Sequence, residues 1–437
     1  MPEENTEHTM DDILISNTLA ILPVAGKPEG RRCSVAVKDG RIRAILPPEA
    51  RVEAVTVIDG SSGLLTPGLV NAHTHAYMTG MRCWADDLQF DDWLFGRVMP
   101  KEDALTPEDA YWFSLLGCLE MLSGGVTAYL DMHMFPHKSL QAAVDSGMRS
   151  VISRGLSGGG DDVAGGVRRL REAKEEIAAH KGEKRISFML APHAPYTCTE
   201  DYLREVAQAA AELDVGIHTH LSETKGEVEN TLAQSGCTPI GLYDRCGLLS
   251  ERTVAAHCVH LTEADMELLA ERKVSVATNP ASNLKLANGF APVPELLKKG
   301  VNVCLGTDST ASNNSLSVLR ELGLVTLLHK GRTGDPCCVT AAEGFRMATV
   351  NGCRALGLPG GEIVEGAPAD LALFDLNVPG LVPLGDPVAA IAYAGQSLRA
   401  DTVVVDGEIV WRHGKSTRVD MGKVLAKAQE TCKKLGM

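Results

Sequence analysis

Apolar residues along this 437-residue chain follow two rhythms. Near both ends they come in short bursts. Ile13 to Pro23 and Ser34 to Leu46 lie toward the start, the second broken by an Asp39-Gly40 turn. Ala369 to Leu376 and Asp401 to His413, with a turn at Asp406-Gly407, lie toward the end. Bursts of this kind, bounded by Asp-Gly, predict β-strands. Two such groups flanking a long middle predict one small composite β-sandwich domain, drawn from the N- and C-terminal segments. In the middle, short continuous apolar runs alternate with longer amphipathic stretches, the pattern of βαβ units around a parallel sheet.

Eight runs there predict strands: Leu64–Asn71, Val126–Met132, Ser150–Gly155, Ile186–Pro192, Val215–His220, Thr253–Cys258, Val274–Thr278 and Val301–Thr307. Helical stretches such as Glu200–Leu213 and Glu263–Glu271 fall between most of them. Eight β/α units in about 300 residues predict a closed (β/α)8 barrel of the TIM type. The rival, an open doubly wound sheet, would be expected to carry a glycine fingerprint after its first strand, and none follows. Domain limits then fall at 12–66 for the first part of the β domain, 67–358 for the barrel, and 359–437 for the second part with a C-terminal helix. The glycine-rich stretch Ser157 to Gly166 is expected to be a loop.

Composition narrows the class. A formal net charge of −14 offers no basic face to nucleic acid and none to an anionic membrane. No apolar run reaches the length of a membrane span. Met1 to Asp12 is acidic and polar, unlike a signal peptide. The 12 cysteines form no CxxC pair, which suits free thiols in a reducing cytoplasm.

Chemistry collects at strand ends, where barrels of this kind keep their active sites. The first strand runs out through His73-x-His75, and residues two apart on a strand face the same side. The fourth is followed by His193, the fifth ends in His218 and His220 with Glu223 beyond, the sixth in His257, and the eighth in Asp308. Three histidines and a carboxylate (His73, His75, His220 and Asp308) suit one divalent ion with an open position for water. Zinc is the first expectation, with iron or manganese as alternatives. Such an ion brings its water close to ionisation near neutral pH. Glu223 is then placed to shuttle a proton, and His257 to orient the water. A second, bridged ion would call for an anionic ligand such as a modified lysine after the fourth strand, and Ile186 to His193 ends without one. His218 reads as a hydrogen-bonded residue deeper in the barrel and His260 as structural. His133 and His137 are weak pocket candidates, while His8, His180, His329 and His413 have no supporting context.

With those residues in place, the chain resembles the amidohydrolase superfamily, and within it the 5-methylthioadenosine/S-adenosylhomocysteine deaminase branch. The motifs PGLVNAHTHAYMTGMR, DDWLFGRVMPKE, APHAPYTC, HLSET, AAHCVHL, NPASNLKLANG, LGTDSTASNNS and GEIVEGAPADLALFD carry the likeness over nearly the whole chain. The resemblance implies hydrolytic deamination of adenosine-type nucleosides, with ammonia released and a 6-oxo product formed. It implies catalytic roles for Glu223, His257 and Asp308, with Glu223 also touching the purine. Glu102 would bind the ribose hydroxyls, a sensible pairing of a strong acceptor with O–H donors. His193, Trp93, Arg154 and Ser312 would complete the substrate site. A further arginine, Arg168 or its neighbour Arg169, would meet an amino-acid tail, although the glycine-rich loop before it is longer than the family pattern. The family's habit also implies a homo-oligomer. Two rivals stay open: hydrolysis of another heterocycle of triazine, pterin or guanine type, and a metal-binding scaffold without catalysis.

Overall fold

The computed structural model of the chain describes residues 10–437, so His8 and most of the polar N-terminal tail lie outside it. Toward the N-terminus run β1 (Asp11–Val24), β2 (Lys27–Lys38), β3 (Arg41–Leu46), β4 (Ala54–Asp59) and β5 (Gly63–Pro67). The middle supplies β6 (Leu69–Thr74), β7 (Val126–His133), β8 (Arg149–Leu156), β9 (Ile186–Pro192), β10 (Gly216–Leu221), β11 (Thr253–His257), β12 (Ser275–Thr278) and β13 (Asn302–Leu305). Last come β14 (Leu371–Asp375), β15 (Ala400–Val405), β16 (Glu408–Arg412) and β17 (Lys415–Ser416).

Strands β6 to β13 pair in sequence order, each parallel to the next. Where the last meets the first, the amides of Thr307 and Asp308 both donate to the His73 carbonyl at 3.0 Å, and Thr74 bridges to Asp308. The sheet is therefore nearly closed, a TIM-type barrel with helices between its strands. β6, β7, β10, β11 and β12 are buried at every residue, as strands covered on both faces are.

The helix Glu200–Leu213 shows the outer ring's logic. Thr199 caps it, and Tyr202, Leu203, Val206, Ala209 and Ala210 form its buried face. Each large side chain buried there contributes roughly 1.5–3 kcal/mol. The other nine strands form a second sheet in the order β17-β16-β15-β14-β5-β1-β2-β3, with β4 joined to β1. Antiparallel pairing of β5 with β14 joins the two ends of the chain in that sheet.

One expected strand is two. Leu64–Asn71 divides at Gly68: β5 belongs to the second sheet and β6 to the barrel. A Cβ on Gly68 would come within 2.0 Å of the Thr127 hydroxyl, so only glycine lets the chain change sheets there. Both halves are buried, so hydropathy gave no sign of the crossing. The glycine-rich loop is also shorter than expected. Gly158 bridges to Cys198, and a helix capped by Asp162 begins at Val163.

Candidate active site

The period-two geometry of β6 aims His73 and His75 into the barrel mouth, while Thr74 turns away and donates to the Asp308 carbonyl at 3.0 Å. One ligand atom from each of His73, His75, His220 and Asp308 falls in a buried group whose members all lie within 4.8 Å of one another. His75 Nε2 is 3.3 Å from His220 Nε2. Asp308 Oδ1 is 3.4 Å from His73 Nε2 and 3.5 Å from His75 Nε2.

Hydrogen bonds behind the rings fix their tautomers. His75 Nδ1 donates to the Met132 carbonyl at 2.9 Å, and His220 Nδ1 to the His193 carbonyl at 2.7 Å. His73 is held through a relay. Ser153 donates to the Asp131 carbonyl, so its oxygen accepts from His218 Nδ1 at 2.9 Å. His218 Nε2 is then an acceptor, and His73 Nδ1 donates to it at 2.7 Å. All three Nε2 lone pairs therefore face Asp308. His73 Nε2 is buried without a hydrogen-bond partner. Acceptors converging on a carboxylate, one of them without any partner, fit a divalent cation. Asp308 Oδ2 is occupied by Ser282 at 2.7 Å and Ser312 at 2.6 Å, which leaves Oδ1 for the ion.

Backbone strain helps to aim these groups. Asp308 at φ 59° and His257 at φ 72° occupy the left-handed region without being glycine. Such conformations cost about 1–3 kcal/mol each and persist where the surroundings enforce them.

On the cavity side of the cluster stand Glu223 and His257, with 3.8 Å between the Glu223 carboxylate and His257 Nδ1. Glu223 Oε1 accepts from Asn288 Nδ2 at 2.9 Å, and His257 Nδ1 donates to Asn283 Oδ1 at 2.9 Å. Burial raises the Glu223 carboxyl above its usual range and Asp308 adds to the rise, against the opposing pull of His257 and Asn288. For His257 burial acts the other way, but the charges of Glu223 and Asp308 prevail and raise it.

Glu227, four residues beyond Glu223, is buried. Its two oxygens accept from the backbone amides of Ser222 at 2.7 Å and Glu223 at 2.9 Å. A glutamine there would set its NH2, a donor, against one of the two amides. Glu227→Gln is expected to lower kcat roughly 10- to 100-fold through misplacement of Glu223, with metal content unchanged. Steady-state rates set beside metal analysis check this, and an unaltered kcat would remove Glu227 from the assembly.

The cluster opens into a cleft of about 900 Å³ including its mouth. Among its lining residues are the expected Trp93, Glu102, His193, Glu223, His257 and Asp308. Trp93 donates from Nε1 to the Ala311 carbonyl at 3.3 Å. His193 packs 4.7 Å from the His220 ring and pairs with Thr197. Three expected substrate residues lie elsewhere. Arg154 is turned behind the wall, donating to Glu172 at 3.0 Å and to the Gly155 carbonyl at 3.2 Å. Its neighbour Ser153 points into the barrel, so strand alternation sends Arg154 outward. Arg168 is 57% exposed and faces Glu172. Arg169 is nearer the cleft, held by the carbonyl of Ser157 and by Asp162. Ser312 sits behind Asp308.

The remaining histidines sort themselves by partner. His133 and His137 bond to Glu176, away from the cleft. His260 donates to the Asn288 carbonyl at 2.8 Å and so steadies the loop beside Glu223. Sequence reasoning passed over Asn283 and Asn288, although both lie within the NPASNLKLANG motif. It also passed over Tyr77 and Tyr196, which line the cleft.

Comparison with known proteins agrees with this geometry. The sequence profile of the amidohydrolase family matches residues 64–410. A 5-methylthioadenosine/S-adenosylhomocysteine deaminase of Moorella thermoacetica is 43% identical over 95% of this chain and 98% of its own. A 5'-deoxyadenosine deaminase of Methanothermobacter thermautotrophicus is 43% identical over 88% and 90%. Among solved structures, an adenosine deaminase from Xanthomonas campestris with bound zinc superposes with a TM-score of 0.92 at 33% identity, covering 98% of this chain and 99% of that one. Atrazine chlorohydrolase from Arthrobacter aurescens, complexed with zinc, reaches 0.90 at 25% identity over 96% and 100%.

Proposed function

Because the chain belongs to the amidohydrolase family, we propose that it is a hydrolytic deaminase of adenosine-type nucleosides. The 6-amino group of substrates such as 5-methylthioadenosine, S-adenosylhomocysteine or adenosine leaves as ammonia, and the 6-oxo product remains. One observation carries this reading: an intact three-histidine, one-aspartate cluster with Glu223 and His257 on its cavity side. His73, His75, His220 and Asp308 would hold the ion, which we assign as zinc on the strength of the two zinc-containing relatives. When bound, such an ion supplies the positive charge that acidifies water and stabilises a developing oxyanion.

The protein's own groups do the rest. Glu223 takes the proton from the attacking water and delivers it to the ring nitrogen, which makes C6 electrophilic. His257, held by Asn283, orients the water and stabilises the negative charge of the adduct beside Asp308. Trp93 and His193 flank the base, and Glu102 receives the sugar. Arg154, Arg168 or Arg169, and Ser312 do not line the cleft, so a direct part for them requires side chains to move on binding. We retain a single ion per chain and the domain limits 12–66, 67–358 and 359–437.

Twelve free cysteines suit a reducing cytoplasm. Among the described residues no helix is long and apolar enough to cross a membrane. Phe95 and Met99, 51% and 40% exposed at the cleft rim, suit contact with a second copy and thus a homo-oligomer.

A turnover panel tests the assignment. Adenosine, 5-methylthioadenosine and S-adenosylhomocysteine are expected to lose absorbance near the adenine maximum and to release ammonia. A triazine, a pterin and guanine should stay intact. Turnover of those heterocycles alone would move the protein to the other hydrolase class, and no turnover of anything would leave a scaffold.

A further inference from the structure

Tyr77 follows the histidine pair and lies on the six-residue 3-10 segment Ala76–Met81, all of it buried. That segment is tied down at three points. The Ala76 amide donates to Asp131 at 2.7 Å, Thr79 donates to the Phe113 carbonyl at 2.6 Å, and Thr310 donates to the Met78 carbonyl at 2.6 Å. Gly80 presses against the Phe113 ring so closely that a Cβ would lie 2.2 Å from it. The Tyr77 ring is 1% exposed and packs edge-on to Phe135 and to His75, at centroid distances of 5.8 and 6.4 Å. A ring so fixed has one place to put its hydroxyl, and that hydroxyl donates to Glu102 Oε1.

Glu102 arrives from a different element, the short helix Met99–Glu102. Tyr77 and Glu102 both line the cleft that contains the metal cluster. Among the described residues, Glu102 Oε1 has Tyr77 as its side-chain donor. We propose that Tyr77 is a positioning residue for substrate selection, clamping one oxygen of Glu102 so that the other accepts a ribose hydroxyl. The clamp makes the site prefer ribosides over sugars lacking that hydroxyl. This rests on the nucleoside reading above, and it adds a residue whose effect passes wholly through Glu102. A freely turning carboxylate would have to lose rotamer freedom when substrate binds, whereas a clamped one has already done so. A site built to pair a hydroxyl penalises an analogue that lacks it, because the acceptor is then left buried and unpaired.

The test is Tyr77→Phe, which removes one oxygen and keeps the packing against Phe135. Rates are measured for adenosine, 2'-deoxyadenosine and 3'-deoxyadenosine, with metal content and Tm recorded on the same samples. The expected result is a KM for adenosine raised about 10-fold, with kcat within about 2-fold of wild type. The deoxy analogue that lacks the hydroxyl facing Glu102 should change by less than about 2-fold. Wild-type preference for the riboside over that analogue therefore shrinks about 10-fold. Tyr77→Phe added to Glu102→Gln should cost little more than Glu102→Gln alone. Equal losses on riboside and deoxy analogues, or a loss confined to kcat, would overturn the proposal and make Tyr77 a packing residue. Wild-type enzyme inert toward every adenosine analogue would instead overturn the nucleoside reading, and this inference with it.

Discussion

Glu223→Gln is expected to bind its full complement of metal and to lose at least ~10²-fold in kcat, the usual scale of general acid–base catalysis. The two side chains have nearly the same shape, so the variant isolates the proton. Glu223 is 5% exposed and pinned from two directions, its backbone amide by Glu227 and its Oε1 by Asn288. Neither contact needs the carboxyl to ionise. A glutamine can turn its amide oxygen to Asn288 and keep the loop in place. What it cannot do is take a proton from water and release it to a ring nitrogen. Burial acts in favour of that task, because it lifts the carboxyl toward neutrality and makes the protonated form accessible. The side chains that would hold the metal, His73, His75, His220 and Asp308, form a separate group. Ammonia release and elemental analysis of one preparation decide the matter. A variant with normal turnover sinks the shuttle assignment, and one that has also lost its metal shows that Glu223 supports the shell.

The barrel and the metal shell could be read from sequence for the same reason. A strand places every second residue on one face, so His73-x-His75 reports its own geometry, and strand exits in a barrel converge on one region. Once the eight runs were aligned, His220, Glu223, His257 and Asp308 fell at the mouth without any knowledge of contacts. Arg154 shows where that logic stops. It sits on a strand exit, yet alternation carries it outward to Glu172, and a register of one residue separates a cleft residue from a wall residue. Glu227 shows a different limit. Its role depends on Ser222 at φ 52°, a turn that folds two backbone amides onto one carboxylate. No local pattern announces such a turn. Gly68 is a third case, because a change of sheet inside a buried run leaves hydropathy unaltered.

Stripping the metal with a chelator is expected to lower turnover by at least ~10³-fold and to lower Tm, and added zinc should restore both. The loss of activity follows from where the charge sits. Glu223 and His257 can move a proton and steady the adduct, but no side chain among them can acidify the attacking water as a divalent cation would. The loss of stability follows from the tautomers. Met132, His193 and the Ser153–His218 relay commit the three ligand rings to N–H groups on their far side. Their near-side nitrogens are then acceptors facing the Asp308 carboxylate at 3.4 and 3.5 Å for His73 and His75, with His73 Nε2 lacking any other partner. Without a cation, acceptors meet acceptors inside a buried pocket, and the protein must take up a proton or rearrange. An ion present at 1,000 times its dissociation constant contributes about 4 kcal/mol to the folded state, a difference that a thermal melt resolves. Full activity in protein shown to hold less than about one-tenth of an ion per chain would exclude a metal-dependent reaction. Unchanged activity together with an unchanged Tm would show that these four side chains hold no ion that matters, and His73-x-His75 would revert to a buried hydrogen-bonded pair.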